Sequence, residues 1–454
     1  MNLSDLKDRW AKIADNDAVI RQDTIRSYGW LIAQVERCTG WLDSAGISEG
    51  TVVSLEADYS PLSISLLMAL IARQAVIVPL TMNIETRKSE LCSLAGVEVR
   101  LVVRSDTDEI ERHAGFARGD PHLLIQKLRD DGHPGLILFS SGSTGVAKGV
   151  VHDLTRLLEK YRTIRHAKRT ITFLMFDHIG GLDTMFYTLF NGGCLIAAHD
   201  RSPEAICRLV ERNRAEVLPV SPTFINLMLL SEAYRRHDLT SLQIVTYGAE
   251  VMPEPVLRRF HEVLPGVRTL QKYGLTELGT LRSKSRADDS VWVKIGGEGY
   301  AVRVVDQMLQ IKAESAMLGY LNAASPFTED RWFMTGDLVE VDGDWLRILG
   351  RKSDMINVGG EKVLPAEVEA VLQMMEGVED AAVRGEPNPL TGQMVVAHVC
   401  LRTEETTEQF RVRMRAFCKD TLPPFKIPQK VRLESGRLHT ERQKKLRSAP
   451  SGVD

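Results

Sequence analysis

Short apolar runs alternate with helical stretches through the first half of the chain, and this rhythm limits the folds that the chain can adopt. The runs at 52–57 and 75–80 flank an apolar stretch of helical length at 62–71. Apolar runs on both sides of a helix are typical of parallel strands that are buried on both faces. Further strands are predicted at 136–139, 195–198, 215–219 and 243–247, and further helices at 25–45, 203–213 and 253–263. The rhythm predicts an α/β fold in which helices cover layered sheets.

After residue 290 the pattern changes to short alternating runs joined by tight turns. Strands are predicted at 291–294, 301–306, 309–313 and 345–349, with turns at 306–307 and 342–344. This pattern of short alternating runs and tight turns indicates a small antiparallel sheet subdomain. Beyond residue 351 a helix opens at Pro365, strands follow at 380–384 and 394–401, and a second helix covers 407–422. We therefore predict a large N-terminal domain over 1–351 and a small α+β C-terminal domain over 352–454.

The composition is that of a globular protein and gives no indication of nucleic-acid binding. The chain is 44% hydrophobic and 26% charged with a formal net charge of −3, and it has no excess of basic residues. The N-terminal segment lacks the apolar core of a secretion signal. The most apolar segment, 62–80, carries Ser63, Ser65, Arg73 and Gln74, whereas a membrane span needs about 20 nearly continuous apolar residues. We expect neither a leader nor a membrane span.

The six cysteines are scattered and form no CxxC pair. In a chain of this length the pattern predicts free, buried thiols in a reducing cytoplasm rather than disulfides or a zinc site. The cysteines are Cys38, Cys92, Cys194, Cys207, Cys400 and Cys418.

The strongest local signal follows the predicted strand 136–139. Small hydroxyl and glycine residues form a loop that is closed by a lysine: Ser140, Ser141, Gly142, Ser143, Thr144, Gly145 and Lys148. Such a loop can surround an anion with backbone N–H groups, hydroxyls and one cation. It differs from a Walker loop, because Gly142 and Lys148 lack the required spacing. The pattern predicts a phosphate site, and a flexible surface turn is the alternative.

Three weaker clusters follow along the chain, each with a simpler alternative. Tyr273, Thr276 and Glu277 could face a purine, a phosphate and Mg²⁺, or could form a capped turn with a core tyrosine. Asp337, with Arg351 after it, could hold ribose and phosphate, or could belong to a hairpin with a surface ion pair. A basic cluster near the C-terminus contains Lys444, Lys445 and Arg447, and a solvated tail would have the same composition.

The order and spacing of these clusters resemble the adenylate-forming superfamily, which includes acyl-CoA and aryl-CoA synthetases, adenylation domains of nonribosomal peptide synthetases, and luciferases. The phosphate-loop motif of that superfamily matches 140–149, with Ala147 in place of proline. The YGxTE motif matches 273–277, TGD matches 335–337, and the GRxxDxIxxxG hinge motif matches 350–359. The adenine-side motif resembles 248–250, and the HIGG of acyl-CoA synthetases matches 178–181.

The resemblance implies a role for each matched residue. The loop from Ser140 to Lys148 would hold the ATP phosphates, Tyr273 would stack on adenine, and Glu277 would bind Mg²⁺. Asp337 would hold the ribose beside Arg351, Thr276 would contact phosphate, and Lys444 would contact the reacting carboxylate. The remaining implied site residues are Gly248, Ala249 and Glu250 at the adenine, Gly274 after the tyrosine, His178 at the acid, and Gly359 and Gly360 beside the thiol channel.

The chain departs from the superfamily at several positions. Near the C-terminus, His439 replaces a proline and Gln443 replaces the glycine before the lysine, so that Lys445 competes with Lys444 for the adenylation role. The hinge residue, usually Asp or Lys, is Ser353. The resemblance nevertheless implies a C-terminal domain that is mobile and rotates about this hinge.

The implied function is an ATP-dependent ligase that activates an acyl or aryl acid as acyl-AMP, releases pyrophosphate and transfers the acyl group to coenzyme A. Placing His178 on the motif histidine puts Ile179 at the position where amino-acid-activating relatives hold the ammonium, while a shift by one residue offers Asp177. A stand-alone adenylation enzyme that loads an acyl or amino acid onto the phosphopantetheine of a separate carrier protein is the alternative. A non-catalytic AMP-binding protein is a more remote alternative. The sequence leaves open whether the chain forms a homodimer.

Overall fold

The structure is a computed structural model that describes residues 3–82, 85–104, 107, 109–116, 119–141, 146–435 and 438. The helices in this part of the chain are α1 Leu3–Ala11, α2 Tyr28–Ser44, α3 Pro61–Ala72, α4 Glu85–Leu94, α5 Leu123–Asp131, α6 Leu154–Leu158, α7 Ile179–Phe190, α8 Pro203–Asn213, α9 Pro222–Ser231, α10 Glu254–Val263, α11 Pro365–Gln373 and α12 Thr407–Cys418. Short 3₁₀ turns cover Glu159–Tyr161, Ala233–Arg235, Lys352–Asp354 and Pro424–Lys426.

The strands, in chain order, make up the sheets described below. Those of the first half are β1 Asp17–Arg21, β2 Thr24–Ser27, β3 Val52–Glu56, β4 Val76–Leu80, β5 Val99–Arg104, β6 Glu109–Ala114, β7 Gly135–Ser141, β8 Ala147–Asp153, β9 Arg169–Thr172, β10 Cys194–Ala197, β11 Val217–Val220, β12 Ile244–Tyr247 and β13 Arg268–Gln271. Those of the second half are β14 Gly274–Leu275, β15 Gly279–Thr280, β16 Ser283–Ser285, β17 Trp292–Ile295, β18 Tyr300–Val305, β19 Met308–Ala313, β20 Gly319–Tyr320, β21 Phe333–Asp342, β22 Trp345–Arg351, β23 Ile356–Val358, β24 Glu361–Val363, β25 Val378–Asn388, β26 Gly392–Leu401 and β27 Lys430–Leu433.

Two seven-stranded sheets form the large part of the molecule. Their strand orders are β13-β12-β11-β9-β10-β1-β2 and β20-β8-β7-β4-β3-β5-β6, and most of the pairings in their centres are parallel. Helix α3 is buried along almost its whole length, and its start is fixed by a capping box between Ser60 and Ser63. One hydrophobic core joins α2, α3 and α7 to strands of both sheets. Because sheets cover these helices on more than one side, the helices are apolar on more than one face.

A six-stranded antiparallel sheet, β16-β17-β22-β21-β19-β18, follows the two large sheets. The hairpin between β18 and β19 turns at Asp306 and Gln307, which both have positive φ (50° and 61°) as a two-residue hairpin of this hand requires. The chain then returns to the second large sheet, where β20 pairs with β8. This return is important because it brings Tyr320 next to the strand that carries Lys148.

The last sheet has the order β24-β23-β26-β25, with β27 beside β26, and α11 and α12 pack on it. Its hydrophobic core draws on residues 356–431 alone. The predicted fold class is confirmed: an α/β protein with layered sheets, a small antiparallel subdomain and an α+β C-terminal unit. The division at 351/352 remains a prediction, and the chain makes a 3₁₀ turn at Lys352–Asp354 just after that point.

Two predicted helices are shorter in the structure. The helix predicted from residue 25 begins at Tyr28, because Thr24–Ser27 pairs as β2 and the Ser27 side chain caps the helix. The helix predicted to reach residue 422 ends at Cys418, a few residues before Pro423 and Pro424, where a helix cannot continue. None of the helices in the described ranges is long and apolar enough to cross a membrane.

All six cysteines are free, as predicted, and five of them are buried. Cys400, on β26 in the C-terminal sheet, is half-buried. Burial raises the pKa of the Cys38 and Cys92 thiols to about 11.

Candidate active site

Two antiparallel strands hold both ends of the predicted phosphate loop. Strand β7 ends at Ser141, β8 begins at Ala147, and Ser140 lies opposite Lys148 in the ladder. The loop residues Gly142, Ser143, Thr144 and Gly145 and the side chain of Ser141 lie outside the described residues. The start of the loop and its lysine are therefore held side by side at one edge of the second large sheet.

Lys148 and Glu277 meet across the ring of Tyr320. The Lys148 ammonium lies 5.3 Å from the centre of the ring, and the Tyr320 hydroxyl donates to Oε1 of Glu277 at 2.7 Å. Burial and the neighbouring Glu277 carboxylate raise the pKa of Tyr320, so the phenol keeps its proton and remains a donor. A cation and a carboxylate predicted to act on the same triphosphate are thus brought together in space.

A buried histidine fixes the backbone of the predicted catalytic turn. His152 is on β8 and is fully buried, and its Nε2 lies 2.6 Å from the carbonyl oxygen of Thr276. Because a carbonyl can only accept, Nε2 carries the proton. Burial lowers the pKa of His152 to about 4, so the ring is neutral near pH 7. The strand that follows the phosphate loop is therefore tied directly to the turn that bears Thr276 and Glu277.

Tyr273 and Asp337 form the other half of the site. The Tyr273 hydroxyl donates to Oδ2 of Asp337 at 2.5 Å, and the Asp337 N–H donates to Oγ1 of Thr335 at 3.0 Å. Burial raises the pKa of Asp337, and the Arg351 guanidinium, whose Nε is 3.4 Å from Oδ1, opposes that rise. Tyr273 is only 6% exposed and packs in the core of the antiparallel sheet. Its predicted stacking on adenine remains a prediction.

One turn carries a residue of each half. Tyr273 and Glu277 are the two ends of the segment 273–277, and the turn is closed by the pairing of β14 with β15. Tyr273 contacts Asp337 and Glu277 contacts Tyr320, so the residues predicted for ribose and for magnesium are attached to the same turn.

The predicted adenine-side segment follows β12. Ala249 adopts a positive φ of 68°, an uncommon conformation for a residue with a Cβ. The Glu250 carboxylate accepts from Oγ1 of Thr223 at 2.7 Å, at the start of α9. A Cβ on Gly248 would lie 2.5 Å from the carbonyl oxygen of Lys272, so this position accepts only glycine without rearrangement. The segment is held tightly against the end of β13.

His178 caps helix α7 rather than projecting freely. Its Nδ1 accepts from the Gly180 N–H at 3.0 Å. Both candidate substrate-anchor residues beside it are buried, Asp177 at 8% and Ile179 at 6% exposure. A Cβ on Gly181 would lie 2.2 Å from the carbonyl oxygen of Met175, so the helix starts in very close contact with the preceding loop.

Comparison with protein-family models identifies the family to which this chain belongs. The model of the AMP-binding enzyme family matches residues 6–326, and that of the AMP-binding enzyme C-terminal domain matches 367–445. The chain belongs to the AMP-binding enzyme family. The predicted membership of the adenylate-forming superfamily is thereby confirmed.

Relatives of this AMP-binding enzyme include named CoA ligases. It is 33% identical over 314 residues to a methyl-dioxo-octahydroindenyl propanoyl:CoA ligase of Mycobacterium tuberculosis, a match that spans 65% of this chain and 62% of the relative. It is 25% identical over 489 residues to the indoleacetate–CoA ligase of Aromatoleum aromaticum, covering 95% of this chain and 94% of the relative. Its fold is similar to that of the anthranilate CoA ligase AuaEII in complex with anthranoyl-AMP (TM-score 0.82, 19% identity, 98% of this chain and 95% of the other).

The remaining predicted residues of the enzyme lie in turns or outside the described part. Gly274 starts a tight two-stranded turn in which a Cβ would lie 2.8 Å from the Gly279 carbonyl oxygen. Gly359 and Gly360 form the exposed turn between β23 and β24, with φ of 60° and 95°. Lys444 lies outside the described residues.

Sequence reasoning missed Tyr320 and His152. Tyr320 reaches Glu277 through the pairing of β20 with β8, a long-range contact for which the sequence around Gly319 contains no local signal. The sequence did contain a signal for His152. This histidine directly follows the apolar pair Val150–Val151 on a predicted buried segment, where a polar ring needs a hydrogen-bond partner. Tyr320 positions the Glu277 carboxylate, and His152 positions the backbone of Thr276. Neither residue takes over the role of a predicted site residue.

Proposed function

We propose that this AMP-binding enzyme is an ATP-dependent acid–thiol ligase. It activates an acyl or aryl acid as an acyl-adenylate with release of pyrophosphate and then transfers the acyl group to coenzyme A. Relatives named as CoA ligases support the overall reaction. The observation that carries the proposal is that the turn 273–277 links the Lys148–Tyr320–Glu277 group to the Tyr273–Asp337–Arg351 group.

The site suits the two ends of a nucleoside triphosphate. Asp337 is a buried acceptor for ribose hydroxyls, and Lys148 is a cation for the β- and γ-phosphates. In the first step a carboxylate oxygen of the acid bonds to the α-phosphorus while the bond from that phosphorus to the bridging oxygen breaks, and pyrophosphate leaves. The protein contributes mainly by positioning and by charge neutralisation, as in other phosphoryl transfers. Lys444 is the proposed contact to the reacting oxygens.

Magnesium is proposed at Glu277. Among the described hydrogen bonds, the Glu277 carboxylate accepts one, from the Tyr320 hydroxyl to Oε1. Its other oxygen lone pairs can therefore coordinate a hard cation, whose remaining ligands would be phosphate oxygens and water. When bound, the ion would neutralise phosphate charge. Tyr320 orients the carboxylate, and His152 holds the carbonyl oxygen of Thr276, the residue that precedes Glu277.

In the second step the thiol loses its proton to water, its sulfur bonds to the acyl carbon, and AMP leaves with the electron pair of the broken bond between the acyl carbon and the phosphate oxygen. We propose coenzyme A as the acceptor, supported by the named relatives, and the phosphopantetheine of a separate carrier protein as the alternative. We further propose the division into 1–351 and 352–454, with Ser353 as hinge. The exposure of Ser353 in the 3₁₀ turn Lys352–Asp354 supports this point of rotation. A cytoplasmic location is supported by the free cysteines.

Pyrophosphate exchange tests the first half-reaction. Labelled pyrophosphate should enter ATP only when a suitable acid is present, and the final products should be AMP and pyrophosphate. Lys444→Ala should lower exchange by roughly two to three orders of magnitude, the effect of losing one transition-state contact. Lys445→Ala is the matched control and should exchange normally. ADP as product, or an inactive Lys445→Ala beside an active Lys444→Ala, would contradict the assignment.

Acyl-adenylate supplied with either thiol tests the second half-reaction. Coenzyme A should accelerate AMP release more than a carrier-protein phosphopantetheine does. If neither thiol accelerates release, thiol transfer is not a reaction of this enzyme. Adding amino acids to the acid panel decides between the two alignments, because an ammonium opposite Ile179 would lose hydration without gaining a partner.

A further inference from the structure

The turn that carries Glu277 is held from outside at several of its carbonyl oxygens. In addition to the bond from His152, the Glu277 carbonyl oxygen accepts from the Met317 N–H at 2.7 Å. The Leu278 carbonyl oxygen accepts from the Ser315 hydroxyl at 2.9 Å. These donors lie on the strand that follows the phosphate loop and on the segment that leads into β20. They attach the turn to the nucleotide side of the site.

A fourth carbonyl oxygen beside this turn is held by a charged donor. The Lys160 ammonium donates to the Thr280 carbonyl oxygen at 3.0 Å. Thr280 is on β15, where it lies opposite Gly274 of β14, and this pairing closes the turn. Lys160 therefore holds the strand that closes the turn.

The same ammonium is bound to helix α7. Oδ1 of Asp183 accepts from the Lys160 ammonium and, at 2.5 Å, from the Tyr161 hydroxyl. The Lys160 and Asp183 side chains are only 15% and 19% exposed, so the ion pair is largely withdrawn from water. Tyr161 is buried and packs against Phe186 and Phe190 of α7, with ring centroids 6.3 and 5.5 Å apart. Residues 160 and 161 are thus fixed to α7 by an ion pair, a hydrogen bond and aromatic packing.

Helix α7 is on the acid side of the proposed site. It begins at Ile179, directly after its cap His178, and these two residues belong to the segment proposed to face the acid. Asp183 follows Ile179 by four residues, about one helical turn. Lys160 therefore bonds both to the helix that bounds the proposed acid pocket and to the strand that closes the turn bearing Glu277.

We propose that Lys160 is a positioning residue for the first half-reaction, because it fixes the acid-side helix relative to the nucleotide-side turn. The inference rests on the proposed ligase function and adds a residue to it. In that step a carboxylate oxygen of the acid must approach the α-phosphorus opposite the departing pyrophosphate. The rate of such a step depends steeply on the relative position of the reactants, and a misplacement of about 1 Å can cost roughly hundredfold. Lys160 sets this position without contacting either reactant.

The second half-reaction provides a readout that separates positioning from folding. In a supplied acyl-adenylate the acyl group and the nucleotide are already joined by a covalent bond, so their alignment no longer depends on the contact between α7 and the turn. Lys160→Met should lower kcat for pyrophosphate exchange by roughly ten- to hundredfold and leave KM for ATP and for the acid within about threefold. AMP release from the supplied acyl-adenylate with the accepting thiol should also stay within about threefold. A general loss of folded enzyme would lower both half-reactions by the same factor.

A double variant separates the lost link from the buried charge. Lys160→Met leaves the Asp183 carboxylate without its cation, which destabilises the fold. Combining Lys160→Met with Asp183→Asn removes both charges and keeps an acceptor for the Tyr161 hydroxyl. The double variant should unfold at a urea concentration closer to that of the wild type. It should lose as much exchange as Lys160→Met alone, because both variants lack the same link.

Lys168→Met is the matched control. The Lys168 ammonium lies 2.7 Å from Oε1 of both Glu216 and Gln243, and the Lys168 and Glu216 side chains are 29% and 22% exposed. Glu216 and Gln243 directly precede the parallel strands β11 and β12, whereas the proposed site segments 248–250 and 273–277 follow the opposite ends of β12 and β13. Lys168→Met should therefore leave the ratio of the two half-reactions unchanged.

The outcomes distinguish this inference from the ligase proposal. Exchange by the wild type with any acid of a panel supports the ligase proposal. Unchanged exchange in Lys160→Met, or an equal loss of both half-reactions in the double variant, overturns the positioning inference alone. An absence of wild-type exchange with every acid overturns the ligase proposal and the inference that rests on it.

Discussion

His152 allows a quantitative test of how the phosphate-loop strand is tied to the catalytic turn. Replacing it with leucine removes the donor to the Thr276 carbonyl oxygen and leaves that acceptor without its partner. The expected loss in the free energy of unfolding is about 1–3 kcal/mol, the cost of a buried unsatisfied polar group. His152→Gln is the matched variant, because its amide can donate but does not titrate.

The pH dependence of the free energy of unfolding gives a second, more specific magnitude. The pKa of His152 is lowered from 6.5 to about 4 in the folded state, so the unfolded chain binds more protons between these values. The resulting stability is present above about pH 6.5 and is lost as the pH falls toward 4. At about 1.4 kcal/mol per pKa unit the full effect is about 3 kcal/mol, of which about 2 kcal/mol is lost by roughly pH 5.

Urea unfolding at about pH 7.5 and pH 5 measures this effect. Other groups titrate alike in both proteins, so the stability difference between the wild type and His152→Leu should shrink by about 2 kcal/mol at the lower pH. Exchange activity near pH 7.5 should fall in His152→Leu more than in His152→Gln, because the turn bearing Glu277 loses its support. A stability difference that stays constant over this pH range would refute the assignment of a buried, neutral His152.

Three further predictions concern the nucleotide site and the hinge. Tyr320→Phe keeps the ring near Lys148 but loses the donor to Glu277, and it should raise the magnesium concentration needed for half-maximal exchange several-fold; an unchanged magnesium titration would contradict it. Asp337→Asn should raise KM for ATP roughly tenfold through a weaker ribose contact, measured by exchange, with KM for the acid as the internal control. Ser353→Pro fixes φ near −65°, a value that a 3₁₀ turn accepts, and it should spare exchange while slowing thioester formation; an equal loss of both would argue against a hinge there.

Local sequence patterns predicted most of the fold. Buried strands at 52–57 and 75–80 and the helix between them were readable because apolar periodicity and capping act over a few residues. The hairpin turn at Asp306 and the helix that opens at Pro365 had signals of the same short range. The motifs at 140–149, 273–277 and 335–337 likewise indicated most of the candidate site, because each of them is a short run of neighbouring residues.

Long-range pairing decided what the sequence left open. Tyr320 contacts Glu277 because β20 pairs with β8, and His152 contacts Thr276 across 124 residues of chain. Neither pairing follows from local periodicity, because which strands meet, and in which register, is chosen by the packing of the whole core.

The pairing of charges beside helix α7 was also decided by tertiary structure alone. In the sequence, Lys160 and Asp183 are separate charged positions in two different segments. The fold brings the Lys160 ammonium and the Tyr161 hydroxyl to the Asp183 carboxylate and withdraws the ion pair largely from water. The sequence determined which chemical groups are available, and the three-dimensional arrangement determined which of them pair, because solvation and pairing depend on neighbours that are distant along the chain.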